Sequence, residues 1–373
     1  MKRIALVVSC GGIVFASCAG NGETSKPKAN GTTTSPTSSV SENARITSKP
    51  EPNAPRSAGL PALYPVSNEA LDNLRDSARG RDVPITIWYP DVKAGVSCPL
   101  VIVSHGAGGN RKGHVTVAEH LVAHGYVVAA PEHVGSNTKT ALSAGSRKRN
   151  SEDGKVRDVI EEMVSDESER IARPKDVSFA IDAVFSWAGT AGKFKGVIDK
   201  DTVGVFGHSY GAYTSAAVSG ARLKTMTELK DLSDKRVKAG IALSLQGPET
   251  GGVFSEESYK TLTIPFLIMT GTNDQTLHGQ GLSWRKKPFE LSPEGSKYLA
   301  VLENATHMDF SDSGRLGGED ARRKAAGHIV KTLALAFFDG HLRGDGNAVW
   351  RLSKDYAATL TSEPVPSIEW QTK

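Results

Sequence analysis

Apolar residues along this chain fall into short blocks that alternate between two periodicities. Ile85–Tyr89, Leu100–Ser104, Val127–Ala130, Val203–Phe206, Ile241–Leu245, Phe266–Met269 and Tyr298–Leu302 are brief runs rich in aliphatic and aromatic residues. Several are apolar without interruption, which is the pattern of strands covered on both faces. Between them, Val115–His124, Lys175–Trp187, Ala212–Ser219 and Ala321–Phe338 read as helices; in the last, Ile329, Leu333, Ala336 and Phe337 mark one face. This alternation predicts an α/β fold, a mainly parallel central sheet with helices on both faces. Two polar stretches interrupt it. Gly135 to Arg173 holds Ser146-Arg147-Lys148-Arg149 and an acidic helix-like stretch around Asp158–Arg170, and Gln275 to Gly295 holds Trp284-Arg285-Lys286-Lys287 and Phe289. Insertions after strand C-termini border active sites in such sheets, so both are expected to shape a cleft, with most of their charges forming a solvated face.

The first 59 residues do not share this pattern. Lys2 and Arg3 precede a short apolar core, Ile4–Val8 and Ile13–Phe15, broken by Gly11-Gly12. It is too short to span a membrane and reads as an export signal over residues 1–18. Phe15-Ala16-Ser17-Cys18 resembles a bacterial lipobox, which makes Cys18 the lipidation site. The alternative is plain secretion, with cleavage after Ala19 and with Ser17 and Ala19 as the small residues. Residues 19–59 are rich in Ser, Thr, Pro, Asn and Lys, cannot bury enough surface to offset their ordering entropy, and read as a disordered tether. One large domain over 60–373 follows. The expected protein is exported, touching a membrane only through a lipid anchor.

Composition narrows the partners. The formal net charge is +4, and the basic residues form no stripe with interleaved aromatics, which argues against nucleic acid. Of three cysteines, Cys10 and Cys18 lie in the signal, so Cys98 is left as a small core residue with no disulfide partner in the domain. No His/Cys/Asp cluster has metal-ligand spacing.

The chemistry concentrates at Gly207-His208-Ser209-Tyr210-Gly211, between the run Thr202–Phe206 and a small-residue helix start. In a strand–turn–helix context G-x-S-x-G forms a nucleophile elbow, in which flanking glycines permit a tight turn and the serine is strained and exposed at the sheet edge. A serine hydroxyl needs a base oriented by an acid. Asp274, after Phe266–Met269, and His307, after Tyr298–Leu302, supply acid then base at strand ends on the same sheet edge. Other histidines fit less well. His208 points away from the hydroxyl, His105 and His133 precede the serine, His278 is too close to Asp274, and His328 lies in the last helix. Two oxyanion donors are expected: the N–H of Tyr210, and that of Ala107 in the loop Ser104-His105-Gly106-Ala107-Gly108-Gly109. A phosphate-binding reading of that loop lacks G-x-G-x-x-G and a following Lys-Ser/Thr.

Taken together, Arg79–Pro90, Pro99–Gly109, His124–His133, Arg173–Val177, the serine elbow and the Asp274 and His307 segments resemble the α/β-hydrolase superfamily. More narrowly they are similar to exported bacterial dienelactone-hydrolase-like proteins, and through them to platelet-activating-factor acetylhydrolases and polyester hydrolases. The resemblance runs from about residue 75 to 345. It implies a serine esterase that forms an acyl-enzyme on a small ester or lipid-like substrate, needs no cofactor, and uses Ala107 and Tyr210 as oxyanion donors. There are departures. True dienelactone hydrolases carry a cysteine where this chain has Ser209. The strand after the nucleophile helix, Ile241–Gln246, has no carboxylate, whereas the acetylhydrolases are thought to take their acid there; Asp274 holds the usual superfamily position. A catalytically idle binding module, or an acyltransferase or peptidase on the same residues, are the competing readings.

Overall fold

A computed structural model of the chain describes residues 64–148, 156–249, 252–311 and 320–373. The expected signal, tether and Cys18 lie outside the described residues. Nine strands form one sheet: β1 (Val66–Leu71), β2 (Ile85–Pro90), β3 (Ser97–Ser104), β4 (Val127–Pro131), β5 (Val197–His208), β6 (Val237–Leu243), β7 (Phe266–Asn273), β8 (Lys297–Thr306) and β9 (Ile368–Thr372). Their spatial order is β1-β2-β4-β3-β5-β6-β7-β8-β9. The pairs from β4 through β8 are parallel. The pairs β1–β2, β2–β4 and β8–β9 are antiparallel, so the sheet is mixed only toward its edges.

The continuous apolar runs have the period-2 geometry of strands buried on both sides. Val101 and Val103 of β3, with Ile241 and Leu243 of β6 and Leu267 and Met269 of β7, face one cluster. That cluster is covered by α1 (Val115–Ala123) and by the last long helix. The alternate residues, Leu100, Ile102, Ala242, Phe266 and Ile268, face the opposite side. There they meet α4 (Glu167–Thr190), α5 (Tyr210–Val218) and α6 (Leu282–Leu291). The long helix is α7 (Ala321–Leu342), and its Ile329, Leu333, Ala336 and Phe337 are all buried. Cys98 is a buried free thiol in β3, pushed up to about 11 by burial.

Both polar interruptions contain helices. The described residues of Gly135–Arg173 include α2 (Thr138–Lys148), α3 (Val156–Ser165) and the first two turns of α4, which begins eight residues before its expected start. Asp166 caps α4 by accepting the N–H of Ser168 and of Glu169. The charges of this stretch are not all solvated: Glu169 and Arg173 are buried. Among the described residues no helix is long and apolar enough to cross a membrane.

Candidate active site

Strand register gathers the site. Ser104 at the end of β3 lies opposite Gly207 in β5, and Leu243 at the end of β6 lies opposite His208. Asn273 in β7 lies opposite Thr306 in β8, so the next residue of each strand, Asp274 and His307, emerge side by side. A Cβ on Gly271 would stand 2.0 Å from the Ala305 carbonyl oxygen, so glycine is what lets β7 and β8 close up here.

The turn from β5 into α5 is as tight as the glycine spacing predicts. Ser209 has φ 56° and ψ −117°, a region unfavourable for a residue with a Cβ. A Cβ on Gly207 would lie 2.1 Å from the Gly211 carbonyl oxygen, and one on Gly211 would lie 1.9 Å from that of Ser104. Both elbow glycines are therefore needed for backbone to pass against backbone. The strained turn is held from β6: Ser209 N–H donates to the Leu243 carbonyl at 2.9 Å, and Gln246 Nε2 donates to the Ser209 carbonyl at 3.0 Å.

The Ser209 hydroxyl lies 3.0 Å from His307 Nε2, and His307 Nδ1 lies 2.9 Å from Asp274 Oδ1. Asp274 is fully buried, while the His307 side chain keeps 28% of its surface open to solvent. Burial alone would raise the Asp274 pKa. The hydrogen bond from His307 and the charge of Arg285 outweigh it and hold the carboxyl well below the usual carboxylate range. An ionised carboxylate can only accept, so Nδ1 carries the imidazole proton and Nε2 is left to accept from the serine. Thr270 Oγ1 donates to Asp274 Oδ2 at 2.8 Å. His307 is steadied by its own turn, in which Asp309 Oδ2 accepts both the N–H and the hydroxyl of Thr306 at 2.7 Å.

Arg285 departs from expectation. Its basic run suggests a solvated face, but its side chain is 2% exposed and its Nη2 lies 3.1 Å from Asp274 Oδ1. Nη1 donates to the carbonyls of Ser244 and Leu245 at 2.7 and 3.1 Å. Lys286 and Lys287 do point outward, pairing with Glu369 and Glu290. The signal was the spacing: Arg285 stands three and four residues before the buried Pro288 and Phe289, on the inner face of α6.

The other histidines are elsewhere. His208 is buried and forms its hydrogen bond with the His307 carbonyl, 3.1 Å from Nε2. His278 pairs with Glu161, and His328 sits in α7. His105 and His133 belong to a buried network that no motif in the sequence marks. Ser104 Oγ lies 2.9 Å from His133 Nε2, and His133 Nδ1 lies 3.0 Å from Asp176 Oδ2. This second Ser–His–Asp set is closed off from solvent and cannot receive a substrate. Arg79 and Arg81 reach the same Asp176 at 2.8 and 3.0 Å.

The loop bearing Ala107 lies against the elbow: a Cβ on Gly106 would sit 3.6 Å from Ser209 Cβ. Among the described residues, the N–H groups of Ala107 and Tyr210 have no hydrogen-bond acceptor. Among the same residues, no group of three or more His, Cys, Asp or Glu is arranged to hold a metal ion.

Comparison with known proteins agrees with this architecture. The family profile of platelet-activating factor acetylhydrolase, isoform II, matches residues 43–245. The platelet-activating factor acetylhydrolase of Bos taurus is 24% identical over 244 residues, 60% of this chain and 50% of that protein. Its counterpart from Cavia porcellus is 22% identical over 296 residues, 70% of this chain and 61% of that protein. The chain thus spans about half to three fifths of the length of these relatives. A ferulic acid esterase from Streptomyces cinnamoneus superposes with a TM-score of 0.53 at 20% identity, covering 85% of this chain and 98% of that one, a likeness of fold.

Proposed function

The chain belongs to the platelet-activating factor acetylhydrolase, isoform II, family, and from that membership we propose that it is a serine-dependent carboxylic-ester hydrolase. The observation that carries the reading is the unbroken contact from Ser209 Oγ through His307 to Asp274, at 3.0 and 2.9 Å, on a strained elbow. Relatives named as acetylhydrolases and a structural neighbour named as an esterase support a small ester or lipid-like substrate.

In this mechanism Ser209 Oγ attacks the ester carbonyl carbon while His307 Nε2 takes its proton. Asp274 stabilises the resulting imidazolium. The carbonyl oxygen becomes negative and is met by the N–H groups of Ala107 and Tyr210, each worth about 3 kcal/mol of barrier. Collapse breaks the bond to the alkoxy oxygen, which leaves with the proton from His307, and Ser209 keeps the acyl group. Water, deprotonated by the same imidazole, then releases the acid and restores the serine.

The signal-like residues 1–18 with Cys18, and the polar residues 19–59, support a lipid-anchored, exported enzyme whose domain covers 60–373. Turnover of p-nitrophenyl acetate and butyrate tests the chemistry. Ser209→Ala is expected to lower kcat/KM on the order of 10⁴-fold or more. Equal rates for the variant and the parent chain would end the proposal.

A further inference from the structure

We propose that Arg173 is a positioning residue of the oxyanion hole, a buried fork that sets the Ala107 and Tyr210 peptides relative to each other. The inference rests on the ester-hydrolase reading above. Arg173 lies on α4 and is fully buried, yet among the described residues no carboxylate lies within ion-pair distance of its guanidinium. Such burial is costly, and it draws the side chain down to about 10. An apolar side chain would fill the space without that cost. The charge is kept where it joins three elements.

Each nitrogen of the fork has a separate task. Nη2 donates to the His105 carbonyl and, at 3.1 Å, to Ser104 Oγ, at the root of the loop that carries Ala107. Nη1 donates to Ser136 Oγ at 2.7 Å, and the carbonyl of the same Ser136 accepts the N–H of Gly108 at 2.9 Å. Ala107 is thereby tied on both sides to groups that Arg173 holds. Nε donates to Thr214 Oγ1 at 2.9 Å, and that hydroxyl donates to the Tyr210 carbonyl at 3.0 Å. The guanidinium carbon also stands 4.3 Å from the centre of the Tyr210 ring. One side chain therefore reaches the segments that present both oxyanion N–H groups, and touches neither Ser209 nor His307. A displacement of about 1 Å between two such donors can cost on the order of 100-fold in rate.

Arg173→Lys keeps the charge and removes the fork. Rates are normalised to sites titrated with a fluorophosphonate, so that misfolded protein is not counted. The expected result is a fall of about tenfold or more in kcat per titrated site, with KM within about twofold. Binding of a trifluoromethyl ketone, which mimics the tetrahedral oxyanion, should weaken in proportion to kcat/KM. If Arg173→Lys does not fold, Thr214→Val decides, because it cuts only the arm to Tyr210. Its kcat per site should fall, while Ser215→Ala, one residue along the same helix and bonded to Ile241 instead, should not change it. Wild-type kcat per titrated site in Arg173→Lys and in Thr214→Val, with only the unfolding midpoint lowered, would overturn the proposal. A Ser209→Ala control separates the two readings. If it hydrolyses esters as fast as the parent chain, the ester-hydrolase reading fails and takes this one with it. If it is inactive while the Arg173 and Thr214 variants are fully active per site, this inference alone fails.

Discussion

Asp274 sits between an imidazole and a guanidinium, and that placement decides how the site is charged. Oδ1 meets both His307 and Arg285, so the carboxylate stays ionised although it is fully buried. Removing the cation leaves a buried anion with one fewer partner. Arg285→Met should therefore destabilise the fold by about 3 kcal/mol, read as a lowered denaturant midpoint, and should reduce ester turnover as Asp274 shifts. An unchanged midpoint would show that Arg285 does not compensate Asp274. The identities and contexts of Ser209, Asp274 and His307 were readable in the sequence, because each follows an apolar strand and they occur in one order. The burial of Arg285 and Arg173 is not legible there, because a basic residue in a charged run looks like surface. Only the neighbouring turns of α6 and α4 put them on an inner face.

Among the elements, α5 is fixed by backbone contacts and by one carbonyl that a proline leaves without its helical donor. Pro174 lies inside α4 and has no N–H to give to the Arg170 carbonyl one turn back. Tyr213 of α5 supplies the missing donor at 2.7 Å, so the proline couples α4 to the helix that starts at the serine. Gly211 is the other constraint. An added methyl group would strike the Ser104 carbonyl at 1.9 Å and lie 3.1 Å from that of His105, and neither can yield without moving β3. Gly211→Ala should cost about 3 kcal/mol or more, whereas Gly189→Ala, in α4 with nothing within 4 Å of its Cβ position, should gain about 0.5 kcal/mol. Equal unfolding midpoints for the two variants would contradict this packing. The buried parallel strands were legible because both faces are apolar. The edge strands β1 and β9 were not, since β1 is almost wholly exposed and β9 alternates over only five residues.

Over the whole molecule, the buried imidazoles set the response to pH. His105, His133 and His208 are enclosed, and burial first holds each well below its ordinary value, with the charge of Arg173 adding to it at His105 and His133. His120 and His341 are pushed down to about 4, also chiefly by burial. These groups are neutral when folded and take up protons when unfolded. Their contribution to stability is complete above the unfolded value of about 6.5 and is lost as pH falls below it. Each proton steepens the loss by about 1.4 kcal/mol per pH unit. Asp274, held low in the fold, adds to the loss only below about pH 4, where unfolded carboxylates begin to protonate. Thermal midpoints should therefore drop markedly between pH 7 and pH 5. A flat profile over that range would mean that the enclosed histidines are already charged or already solvated.

In the proposed mechanism, Ser209 is made nucleophilic by His307 at this sheet edge. The most direct test is to treat the full chain with a fluorophosphonate and map the adduct by mass spectrometry of its peptides. One adduct is expected, on the peptide carrying Ser209, absent in Ser209→Ala and formed far more slowly in His307→Ala. An adduct on a different residue, or no adduct in a chain that still hydrolyses esters, would contradict it.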